Sequence, residues 1–155
     1  MAYTDYLKGG PTNTETQTKD APEGVSVAFA VFVKGGTDQR HLAVCALGEE
    51  AIGITTSKSP DWGGNLGGRV PYGHEGTFTM VAGAAFNRLD ANGHLTELAS
   101  DATGRAIPIS TVAISGDHFC NARMAEDSAN STQAGDLITV FFFETPRLFL
   151  VSDAY

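Results

Sequence analysis

From Gly73 to Ile109 the chain reads GHEGTFTMVAGAAFNRLDANGHLTELASDATGRAIPI, and no helical period fits it. Thr77-Phe78-Thr79-Met80-Val81 alternates polar with apolar, which buries one face of a strand and wets the other. Asp90-Ala91-Asn92-Gly93 is turn chemistry: Asp and Asn bond to nearby backbone, and Gly93 can take positive φ. His94 to Leu98 leaves that turn as a short strand. Asp101-Ala102-Thr103-Gly104 turns again, and Arg105 to Ile109 leaves it. A chain punctuated this often can form only a meander of short strands, with no sign of a catalytic cleft.

The same grammar runs through the rest. Gly24 to Val33 carries the strongest strand signal. Val25, Val27, Phe29, Val31 and Val33 lie on one face and small or apolar residues on the other, so a central strand is expected. Lys34 to Asp38 reads as a hairpin turn, and Leu42 to Leu47 as the next strand. Ala51 to Thr55 is another, with Gly53 marking a bulge or a close backbone approach. Ser110 to Gly116 suits one more. Asp117 to Gln133 is ambiguous, and a short helix over Phe119 to Glu126 is open. Leu137 to Phe143 (LITVFFF) reads as a strand buried on both sides and stopped by Pro146, which has no N–H for a ladder. With 155 residues, 18 glycines and 18% charged residues, this is one all-β domain, a compact barrel or sandwich of short antiparallel strands.

Two stretches, 1–23 and 146–155, lie outside that domain, which spans 24–145, and a third stands out as a loop within it. Residues 1–23 are polar and Thr-rich, and cannot bury enough surface to offset their ordering entropy. They read as a disordered tail or as an extended arm that orders against a neighbour through Tyr3, Tyr6 and Leu7. Ser57 to Gly68 is a Gly-rich loop holding the only tryptophan, Trp62, which plugs its own domain or touches a partner. The tail over 146–155 contains Leu148, Phe149 and Leu150. It is too apolar to hang free and is expected to pack on its own or a neighbouring subunit.

Charge and chemistry narrow the function. A formal net charge of −8, without any Lys/Arg run, argues against nucleic acid or an anionic membrane as partner. No window approaches the roughly 20 apolar residues of a membrane span. The N-terminal residues lack the apolar core of a signal peptide, so synthesis in the cytosol is expected. That favours two free buried thiols at Cys45 and Cys120 over a disulfide. His41, His74, His94 and His118 form no metal-binding spacing. Asp90 to Gly93 lacks the remaining ligands of a Ca²⁺ loop. Ser110, Ser115 and Ser128 lack a nucleophile context. The expectation is no catalytic residues, no metal and no cofactor.

Several pieces then fall into a familiar order: Ala51-Ile52-Gly53-Ile54-Thr55, Val81-Ala82-Gly83-Ala84-Ala85, Leu89-Asp90-Ala91-Asn92-Gly93, Thr103-Gly104-Arg105-Ala106-Ile107-Pro108, and Ala134-Gly135-Asp136-Leu137-Ile138-Thr139-Val140. This order resembles the small capsid decoration (cement) proteins of tailed bacteriophages, over roughly 51–143. The resemblance implies a compact β domain, often trimeric, with an N-terminal arm lying on the capsid and no enzymatic activity. The partners would be the major capsid protein and further copies of the chain, on the outer surface of the virion. Tyr3, Tyr6 and Leu7 would touch the capsid, and Trp62, Leu148, Phe149 and Leu150 a neighbouring subunit. The competing reading is a receptor- or glycan-binding knob of a tail or fibre, stacking sugar on Trp62 and Tyr72.

Overall fold

The computed structural model describes residues 15–21, 27–36, 38, 40–56, 69–112 and 116–151, without the side chains at 15, 16, 18, 69, 116 and 149–151. Eleven strands account for most of them: β1 (Glu15–Asp20), β2 (Phe32–Gly35), β3 (Leu42–Val44), β4 (Gly53–Thr55), β5 (Arg69–Val81), β6 (Phe86–Asn87), β7 (Glu97–Ser100), β8 (Ala106–Pro108), β9 (Gly116–Met124), β10 (Ser131–Thr132) and β11 (Leu137–Val151). The protein is all-β, as its turn grammar requires. Eight strands follow the order β3-β2-β4-β5-β11-β9-β7-β8, every pairing antiparallel; β1 adds to β5, and β10 and β6 form a separate pair.

The sheet curls until its two ends meet. The Phe32 N–H donates to the Gly104 carbonyl (2.7 Å), and the Gly48 N–H to that of Ser100 (2.9 Å). Asn121, fully buried on β9, accepts from the Ala51 N–H and donates to the Glu49 carbonyl, each at 3.0 Å. One side chain thus satisfies two backbone groups of the β3–β4 connection and holds it against the far side of the sheet. Inside the curl lie Phe32, Ile54, Phe78, Met80, Leu98, Met124, Ile138, Val140 and Phe142. Burying each large side chain stabilises the fold by roughly 1.5–3 kcal/mol. Two smaller clusters coat the outside: Val27, Val31, Val33, Leu42, Val70 and Tyr72 near β1, and Ala99, Ile107, Ile109, Val112 and Cys120 against β7, β8 and β9.

Local expectations hold where the chemistry is local. β2 and β3 form the hairpin, pairing Val33 with Val44. Along Thr77–Met80, exposed and buried residues alternate. The Asp90 carboxylate accepts from the N–H groups of Asn92 (2.8 Å) and His94 (3.0 Å), and Gly93 sits at φ 81°. Asp101 does the same for Thr103 (2.8 Å) and Arg105 (2.9 Å). Cys45 and Cys120 are both free and buried.

Other expectations need correction. The strand expected over Gly24–Val33 does not run through: Ala30 takes φ 62°, so regular pairing starts only at Phe32, and Phe29 is exposed. Residues 22–26 lie outside the described set. Ile109–Thr111 is a 3₁₀ turn rather than the start of a strand. Where a short helix over Phe119–Glu126 was open, β9 extends to Met124. Leu137–Phe143 is buried on one face only; Leu137 is 62% and Phe141 37% exposed. Pro146 does not end that strand. It falls in the interval, Phe142 to Arg147, where pairing with β9 is interrupted by a bulge and so needs no ladder N–H; Arg147–Val151 then pairs with Cys120–Gly116.

The span 1–23, expected as an arm, is divided. Glu15–Asp20 is a strand of the domain, and Ala21 is fully buried against Val70 and Tyr72. β1 lies on the edge of β5 opposite β4, since Tyr72 and Gly73 pair with both. β11 pairs with β5 over Gly76–Val81 and β1 over Arg69–Glu75. Asp20 is clamped by the β2–β3 loop, donating its N–H to the Arg40 carbonyl (2.8 Å) and pairing with the Arg40 guanidinium (3.3 Å).

Candidate interface

Paired residues of an antiparallel sheet point to the same side. Register therefore assembles a surface on the outer face of β5, β11, β9 and β7 that no local motif announces. Thr77 pairs with Phe141, Phe141 with Arg123, and Arg123 with Glu97, a row crossing four strands. Thr79–Thr139 and Val81–Leu137 extend the face along β5 and β11.

The row is held by aromatic and guanidinium contacts. The Arg123 guanidinium lies 5.2 Å from the Phe141 ring centre, and that of Arg147 lies 5.3 Å from Phe143. The two rings meet edge to face, 6.1 Å apart at 68°. Such contacts pre-order long side chains while leaving the charge available, worth about 0.5–1 kcal/mol each at an exposed site. The β11 bulge brings Arg147 back over β7, where it donates to Glu97 and so has its pKa held above the usual guanidinium value. Among the described residues, Arg123 takes part in no ion pair.

A concavity of about 440 Å³ opens where β11 leaves β5 and β1 takes over. Gln17 and Lys19 of β1, Tyr72 and His74 of β5, and Glu144 and Pro146 of β11 line it. Tyr72 is only 3% exposed and donates its hydroxyl to Gln17 (3.1 Å), so it offers no face for stacking sugar; the sequence-based suggestion that it does is corrected. Among the described residues no group of His, Cys, Asp or Glu is placed to hold a metal. Burial pushes the thiol of Cys45 up to about 12 and that of Cys120 to about 11, so neither is a thiolate at neutral pH. Ser128 donates its hydroxyl to the Thr139 carbonyl, and Ser100 to that of Asp101 (2.9 Å).

Tyr3, Tyr6, Leu7 and Trp62 lie outside the described residues. Leu148 is half exposed, at 50%, on the C-terminal half of β11. Phe149 and Leu150 pair through their backbones with His118 and Asp117 of the same chain, and their side chains are not described. The Arg123–Phe141 row was not anticipated. Its one sequence signal is the shared parity of Leu137, Thr139, Phe141 and Phe143, which separates an outer set from Ile138, Val140 and Phe142.

Comparison with family models finds no match, and comparison with curated proteins finds none either. The fold does have a solved counterpart. The N base of head fiber gp8.5 of bacteriophage phi29 superposes with a TM-score of 0.54, covering 86% of this chain and 98% of that one at 14% sequence identity. The two share an architecture over nearly the whole of the phage base.

Proposed function

We propose that this chain is a structural protein of a tailed-phage head, bound to the outer surface of the shell and stabilising it as a decoration protein. The observation that carries the reading is the fold shared with a head fiber base over 98% of that structure. The order of motifs along the sequence points independently to the same kind of virion component. In this reading residues 1–14 lie on the major capsid protein, with Tyr3, Tyr6 and Leu7 as anchors. Copies of the chain associate, with three as the expected number. The net charge of −8 suits a position away from packaged DNA. Many copies on one shell make a modest contact effective.

Co-sedimentation with purified, DNA-free expanded heads of the phage that encodes the chain tests the reading. Saturable binding supports it, and a protein that stays in the supernatant overturns it. A second reading, the head-bound base of a fibre, draws on the same counterpart, itself part of a head fiber. Electron microscopy of virions carrying tagged protein separates them: many evenly spaced surface copies indicate decoration, and projecting rods indicate a fibre.

A further inference from the structure

The outer face of β5, β11, β9 and β7 has an unusual charge balance for this molecule. At its centre the row Thr77–Phe141–Arg123–Glu97, with the adjoining Arg147, holds two guanidinium groups against one carboxylate, Glu97, which Arg147 already occupies. The whole chain carries 18 acidic and 10 basic residues. Outside that row, the described residues carry exposed carboxylates at Asp117, Glu126, Asp127 and Glu144. Arg123 is pre-ordered on Phe141 without a carboxylate partner, beside the exposed Leu137. Aromatic and arginine side chains in this arrangement are the residue types that anchor protein interfaces.

We propose that this face receives the acidic surface of a second copy of the chain, with Arg123 and Phe141 as its centre. The rows of two copies cannot lie directly on one another, since guanidinium would then meet guanidinium. The row therefore meets a different surface of the next copy, either reciprocally about a twofold axis or head to tail in a ring or filament. This deepens the self-association part of the reading above and does not depend on attachment to a head.

The test uses the full-length protein in solution without heads, so its outcome is separate from that of co-sedimentation. Light scattering at low ionic strength is expected to give a mass of at least two 16.3-kDa protomers. About 1 M salt shrinks the Debye length to roughly 3 Å and should weaken the assembly. R123E should weaken association about tenfold or more. T77E adds a carboxylate in the same exposed row without removing any contact and, by pairing with Arg123 from within the chain, should act the same way. Circular dichroism of both variants checks that they fold. A monomer at about 100 µM, where even weak micromolar contacts form, overturns the proposal. So does an assembly that folded R123E and T77E both leave intact.

Discussion

Phe78 lies where a side chain on Gly73 would be: a Cβ built there meets the ring at 1.9 Å. Across the pairing with β4, a Cβ on Gly53 would stand 2.5 Å from the Gly73 carbonyl oxygen and 2.6 Å from the Tyr72 ring. The first of these obstacles is backbone, which cannot swing aside. Gly53→Ala is expected to cost about 1–3 kcal/mol, read from urea unfolding. This close approach was legible from a lone glycine inside an apolar strand; the identity of the approaching group was not. The thiols give a pH dependence at the same scale. Desolvation raises their folded-state pKa values to about 12 for Cys45 and about 11 for Cys120, above the unfolded value of 9.0. Below pH 9 both states keep their protons and the stabilisation is fully present. As pH rises from about 9 through the folded values, the unfolded chain releases protons that the native state retains, and stability is lost. Urea midpoints measured from about pH 8 to about pH 10.5 should fall, and Cys45→Ala should flatten the fall while lowering stability at pH 8.

At the scale of elements, the boundary at Glu15 decides what the N-terminal segment does. β1 supplies the outer neighbour of Arg69–Glu75 and ends in the buried Ala21. Removing residues 1–14 should leave the melting temperature unchanged while weakening attachment to heads. Removing residues 1–21 also unpairs β5 and uncovers Val70 and Tyr72, and should cost about 2 kcal/mol or more. Equal melting temperatures for the two truncations would show that β1 contributes nothing. The composition of 1–23 hid this boundary because β1 (ETQTKD) is polar and is ordered by pairing and by the Arg40 clamp. The two Asp-led turns were readable because each carboxylate bonds within four residues of itself. The break at Ala30 was not, since positive φ at a non-glycine residue is imposed by its surroundings: its N–H donates to Thr55 and its carbonyl accepts from Val81. Pro146 misled for a similar reason. The rule that proline ends a strand assumes a ladder at that position, and the bulge removes it. The Arg123–Phe141–Glu97 row depends on the register of three strands distant in sequence, which periodicity alone cannot supply.

On the scale of the whole molecule, the C-terminal stretch is part of the domain's own sheet. Ending the chain after Pro146 would unpair Gly116–Cys120 and strip Glu97 of Arg147. The truncated protein is expected to lose cooperative unfolding by circular dichroism, whereas a tail serving only a neighbouring subunit would leave it intact. β11 also stands between β5 and β9 in the middle of the sheet, although it is the last strand in the sequence, and it contributes Ile138, Val140 and Phe142 to the interior. The order of synthesis is therefore opposed to the order of assembly. With the ribosome adding about 5–20 residues per second, every earlier strand is made before the strand that joins the two halves of the sheet. The nascent chain carries two open edges, on β5 and β9, until β11 emerges, and then closes them with one strand. Such a domain closes in one late step, and abundant expression needs those edges shielded until then.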